Sequence, residues 1–198
     1  DDFLAEEELI PCVTLFDFEN LGHLDPDVSD DVLPEKSKLR LPLWAMKKWA
    51  LLGYVDMKLP KKYGIDAREA LQADPLQHSI TETFYRTGKA VVDVLEESVT
   101  RTAHYLKKKR RPADHLDALK REAEQVRISL LNTYTGARLA RTLDWALSSV
   151  GEDVTAFVNN LTYLERRLYQ TGARASAQFH EWKWNKNLQR PRKRQRIQ

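Results

Sequence analysis

The hydrophobic positions of this chain follow two periods, and the change comes about a third of the way along it. In the first part apolar and polar residues alternate, as in half-buried strands. Pro11 to Phe18 (PCVTLFDF) predicts one strand and Lys38-Leu39-Arg40-Leu41 a second. In a third, Val55, Met57 and Leu59 face one way and Tyr54, Asp56 and Lys58 the other. Residues 3–9 predict a short acidic helix, and the Asp- and Pro-rich residues 23–36 a solvated connection that can begin with a short strand. Between the second and third strands, Leu43, Trp44 and Met46 fall on a helical spacing. Pro42 suits the first position of that helix, where a missing N–H costs nothing, and Gly53 suits its end.

From Asp66 onward the period is helical. Ser79-Ile80-Thr81-Glu82 has capping-box spacing and predicts a helix start. The helix it opens carries Phe84, Val91, Leu95 and Val99 on one side, with Tyr85 and Gly88 allowing close approach of another element. Asp114 is a fair N-cap for a next helix with Leu116, Leu119, Ala123, Val126 and Leu130 three and four apart. That stripe drifts through Leu131, Tyr134, Leu143, Leu147 and Val150 until Gly151 stops it. A last long helix is expected from near Glu152, with a seam of Val154, Phe157, Leu161, Leu164, Leu168, Gly172, Ala175, Phe179 and Trp182. About 30 residues at 1.5 Å each span roughly 45 Å, longer than a small bundle is wide, so part of the seam is expected to be covered by another chain.

Composition changes the picture in two places. Seven glycines and eight prolines in 198 residues are few for an all-β protein, so helix should dominate. Net charge is +3, but the runs Lys107, Lys108, Lys109, Arg110, Arg111 and Arg190, Arg192, Lys193, Arg194, Arg196 carry +10 between them, leaving −7 for the remainder. A basic face spread over the fold is therefore not expected. The chain opens on Asp1-Asp2 with no basic and apolar leader and has no long apolar run, so the expectation is a protein neither secreted nor membrane-spanning. Cys12 is the single cysteine, which fits a reducing compartment and a small buried hydrophobe near a strand.

Catalytic patterns are not apparent. The histidines, His23, His78, His104, His115 and His180, include no i, i+4 pair, the glycines form no phosphate loop, and no serine sits in an elbow sequence. Carboxylates such as Glu165, beside Arg166 and Arg167, are expected on a solvated helix face. An enzyme, a metal site and a cofactor are accordingly not predicted. The run LKKKRRP suits a solvated helix end, with phosphate contact as the alternative. The tail QRPRKRQRIQ has the character of a nuclear localisation signal or an extended arm, without interleaved aromatics for base stacking.

The segments SKLRLPLW (37–44), KLPKKY (58–63), ADP (73–75), FYRTG (84–88) and LERRLYQTGARASAQFHEW (164–182) together resemble the third Psf-type subunits of the GINS complex. The resemblance implies an α+β, mostly α, fold, with a small β-rich B domain (1–64) before an α-helical bundle A domain (65–189) and a basic tail (190–198). It implies a nuclear, non-catalytic scaffold in a heterotetramer with three sister subunits. Through the MCM hexamer and the forty-five-class cell-division-cycle factor that scaffold would enter the CMG replicative helicase and meet DNA only indirectly. Pro42, Leu43, Trp44 and Trp49 would then be a rigid packing hinge. Trp44, Trp49, Tyr169, Phe179 and Trp182 are the expected partner anchors, since buried aromatics dominate interface energies. The stretch from Lys107 to Val126 is longer than the family pattern. A nucleic-acid-binding helical module using the two basic runs is the alternative.

Overall fold

The computed structural model describes residues 2–76, 80–108, 114–149 and 152–188, with side chains at 3–76, 80–101, 116–149 and 152–184. Ser79, Val150, Gly151, Lys109 to Arg111 and the whole tail, Arg190 to Arg196 included, lie outside these residues.

The short helix α1 (Asp2–Glu6) precedes a three-stranded antiparallel sheet of β1 (Leu9–Thr14), β2 (Lys38–Pro42) and β3 (Val55–Met57), in the order β2-β1-β3. Pairings Ile10 to Leu41, Cys12 to Leu39 and Met57, and Thr14 to Val55 put all these side chains on one buried face. Thr14 is the polar member of that face, and its hydroxyl is satisfied by donating to the Pro34 carbonyl at 2.8 Å and accepting the Ser37 amide at 2.9 Å. The first strand is shorter than its pattern predicts. The chain leaves the sheet after Thr14, and Phe18 returns only as a bridge to Leu33. Asp17 accepts the Glu35 amide and Asn20 takes a left-handed conformation, which together turn the backbone into the acidic connection.

Helix α2 (Leu43–Leu52) starts directly from β2 and ends at Gly53, at φ 75°, as the sequence predicts; Pro42 sits one position earlier than expected, as the N-cap with ψ 145° rather than the first helical residue. Leu43, Met46 and Ala50 face inward, and the Leu43 amide donates to the Glu8 carbonyl. After α3 (Ile65–Ala73), the long helices α4 (Phe84–Lys108) and α5 (Asp114–Thr133) pair. Gly88 permits this: a Cβ there would lie 2.8 Å from a Leu130 methyl and 3.0 Å from the Tyr63 ring. One hydrophobic core runs from Ile10, Leu39 and Met46 to Val91, Leu95, Ala123 and Val126, so sheet and helices share it across residue 64.

Three expectations for the helices are corrected. The helix after residue 79 begins only at Phe84, and Glu82 turns away from capping to pair with Arg166 at 2.6 Å. The drifting stripe after Leu130 is a break. A wide turn at Tyr134–Arg138, with Gly136 at ψ −133°, separates α5 from α6 (Leu139–Ser148). Beyond it Thr142 and Ala146 are buried while Leu143 and Leu147 are exposed. The last helix is also two: α7 (Thr155–Asn159), a turn, and α8 (Tyr163–Leu188). Leu161 is buried as predicted, but beyond it the buried line is Glu165, Tyr169 and Ser176, one position on from the predicted Leu164, Leu168 and Ala175, and Ala175, Phe179 and Trp182 are exposed. Helix α8 packs on α6 because Gly172 lets the backbones close: a Cβ there would sit 2.9 Å from Ala146 Cβ.

Candidate partner interface

What positions the C-terminal helix is a buried ion pair. Glu165, expected on a solvated face, is 1% exposed, and Arg138 is 6% exposed. The guanidinium grips the carboxylate with Nε to Oε1 at 2.6 Å and Nη2 to Oε2 at 2.8 Å. Its remaining N–H groups donate to the Pro75 carbonyl (2.9 Å) and the Asn160 carbonyl (3.2 Å). Glu165 also accepts from the Tyr85 hydroxyl at 3.1 Å and from the Thr162 amide at 2.9 Å, while Thr162 Oγ1 accepts the Glu165 amide at 3.4 Å. Thr162-Tyr163-Leu164-Glu165 is thus a capping box at the start of α8, and its Glu is shared with an arginine from another helix.

Burial pushes the Glu165 carboxyl up, but Arg138 and the Thr162 amide outweigh it and hold the group below its ordinary value. Burial likewise opposes the charge on Arg138, and Glu165 more than compensates. Burial first, and then the Glu165 charge, raise the Tyr85 phenol, with Arg138 pulling the other way. Every polar atom here has a structural partner, so the constellation is a clamp. It joins α4, the α3 exit, the wide turn before α6, the α7–α8 turn and α8.

Around the clamp sits a second, smaller cluster of Ala146, Leu161 and Tyr169, with Trp145, Phe157, Val154 and Ala173 against it. Trp145 stacks on Phe157 at 4.9 Å, and the Tyr169 and Ser149 hydroxyls are 3.2 Å apart. Tyr169, an expected partner anchor, is therefore committed to packing within the chain. Residues 177–184 are all exposed, about two turns or roughly 12 Å of helix. They carry Phe179 (57% exposed), Trp182 (53%) and Trp184 (68%). Phe179 and Trp182 touch at 5.8 Å between ring centres, and Trp184, about 200° round from Trp182, lies on the opposite face.

The other tryptophans divide similarly. Trp49 is half-buried against Phe18 at 5.6 Å. Trp44 is exposed, and with Lys48 and Leu52 it forms the outer line of α2. Lys107 and Lys108 fall at the end of α4, and no side-chain placement is described for either. Cys12 is buried in the sheet with its thiol pushed up to about 11 by burial, which keeps it protonated and inert. Among the described residues, no three His, Cys, Asp or Glu side chains converge as a metal site would require, and no helix is long and apolar enough to cross a membrane.

The model of the PSF3 N-terminal domain matches residues 1–50. A protein of Xenopus laevis named DNA replication complex GINS protein PSF3 is 28% identical over 199 residues, covering 96% of this chain and 80% of that protein. Its human namesake is 29% identical, covering 92% and 77%. The chain is similar to PSF3 proteins of the GINS family. The likeness extends to a Dictyostelium discoideum protein named as a probable PSF3, 23% identical and covering 92% of this chain and 59% of its own length. At 96% of this chain, the match to the Xenopus laevis protein spans both the sheet and the helices.

Proposed function

We propose that this chain is the PSF3-type subunit of a GINS heterotetramer and works as a scaffold without chemistry of its own. The observation that carries this reading is similarity along nearly the whole chain to proteins named for GINS and DNA replication. In this reading residues 1–64 are a B domain and 65–189 an A domain that share a core, with 190–198 as a basic nuclear-targeting tail. Three sister subunits bind the exposed aromatics, with Phe179, Trp182 and Trp184 enclosed from more than one side and Trp44 forming a separate contact on α2. Trp49 and Tyr169 hold those surfaces in place from within. The assembled tetramer braces the MCM hexamer and the forty-five-class factor in the nucleus, and DNA is met only through them.

Co-expression with three candidate sisters, followed by size-exclusion chromatography, tests this. A stoichiometric complex that survives 500 mM salt is expected, because apolar burial does not weaken with ionic strength whereas contacts to phosphate do. A chain that stays monomeric beside its sisters and instead binds DNA at low salt would overturn the proposal in favour of a nucleic-acid module.

A further inference from the structure

Helices α3 and α5 leave an open cleft of about 490 Å³ between them. Its walls are one face of each helix: Ile65, Arg68 and Gln72 from α3, and Gln125, Ile128 and Asn132 from α5. Ile65 and Ile128 are exposed at 61% and 40%, and Glu69 stands exposed on the α3 side. Arg68 is half-buried, and its Nη1 is shut away from solvent with no hydrogen-bond partner among the described residues. A guanidinium nitrogen in that state carries a desolvation cost; with the side chain turned into the cleft, an acceptor there would remove it, and a carboxylate is the acceptor its planar fork fits. The cleft wall is held in place, because Arg138 donates to the carbonyl of Pro75, another lining residue at the α3 exit.

We propose that this cleft is a docking site for a segment of a partner protein that presents one carboxylate to Arg68 between two apolar side chains packed on Ile65 and Ile128. The assignment does not depend on the GINS reading, because it rests on the unpaired guanidinium nitrogen and the two isoleucines. Glu69 lines the same cleft and repels a carboxylate, so the acid of the docked segment must sit on the Arg68 side, away from Glu69.

The test pans random peptides of about a dozen residues, displayed on phage, against the full chain with Arg68→Gln as counter-selection. Fluorescence anisotropy then measures the enriched peptides. The expected peptides carry Asp or Glu flanked by Leu, Ile or Phe. They bind the wild-type chain roughly tenfold or more tighter than Arg68→Gln and lose the same factor when their acid is changed to its amide. Ile128→Ser weakens them too, and Arg68→Lys, which keeps the charge without the fork, falls between. A pool that does not separate wild type from Arg68→Gln, or acid and amide peptides that bind alike, overturns the proposal. Circular dichroism of both Arg68 variants confirms that loss of binding is not loss of fold.

Discussion

The two hydrophobic clusters are built on opposite principles. The first joins the sheet, α2, α4 and α5 almost wholly through apolar contacts such as Ile10, Met46, Val91 and Val126, and its one polar strand residue, Thr14, is locally satisfied. The second, of α6, α7 and α8, is small. It is tied to the first by the Arg138–Glu165–Tyr85 network rather than by a continuous greasy seam. An apolar core tolerates small errors of register, whereas a buried ion pair accepts one geometry and costs much if half of it is lost. The two also differ in where their aromatics lie: Tyr63, Phe84 and Tyr85 are buried in the first cluster, with Trp44 exposed on α2, whereas the second leads into a helix whose last two described turns carry exposed Phe179, Trp182 and Trp184.

Breaking the clamp is expected to have the largest effect. Glu165→Ala leaves the Arg138 guanidinium buried and uncompensated and should cost about 3–5 kcal/mol in urea unfolding. Arg138→Met with Glu165→Leu should recover most of that loss, and equal instability of the single and double variants would refute the clamp. Next, Phe179→Ala with Trp182→Ala should weaken assembly with sister subunits by at least about 2 kcal/mol while the unfolding midpoint of the chain alone hardly moves, because these side chains are exposed. Unaltered co-purification would remove the α8 end from the interface. Gly172→Val should lose about 1–3 kcal/mol by wedging α8 off Ala146. Tyr169→Phe, which deletes only the hydroxyl beside Ser149, should lose about 1 kcal/mol.

Acid separates the clusters without mutation. The folded-state value of Glu165 lies below its unfolded value, so its contribution is present above the ordinary carboxylate range and disappears as pH falls through the lowered value. Hydrogen exchange should therefore show α6 and the start of α8 opening at acidic pH before β1 to β3 and α4. Simultaneous opening of both regions would mean that the clamp contributes no separate stability.

The first cluster was largely legible in the sequence. The alternation of Val55 and Met57, the Pro42 and Gly53 bounds of α2, the face of Phe84, Val91, Leu95 and Val99, and the packing role of Gly88 all follow from spacing, because each burial decision is local to one element. The second cluster was not. Glu165 beside two arginines has the pattern of a solvated face, and nothing in the spacing signals that its partner is Arg138, 27 positions earlier across a break at Gly136. The signal that could have found it was Thr162-x-x-Glu165, a capping-box spacing ahead of a long helix. It was eclipsed by an apolar seam running one position round. The expectation that part of the last helix is too long for its own bundle came from length alone, and Phe179 and Trp182 are exposed as that expectation requires.

By itself the sequence determined the order of strands before helices, the strand faces, the helical dominance and the two runs of basic charge, since these depend on periodicity and composition. Only the tertiary structure decided where the helices break, which side of α8 turns inward, and that Arg138 and Glu165 meet. Those outcomes depend on contacts between residues far apart in the chain, where a single close approach such as Gly172 on Ala146 outweighs several methylenes of local pattern.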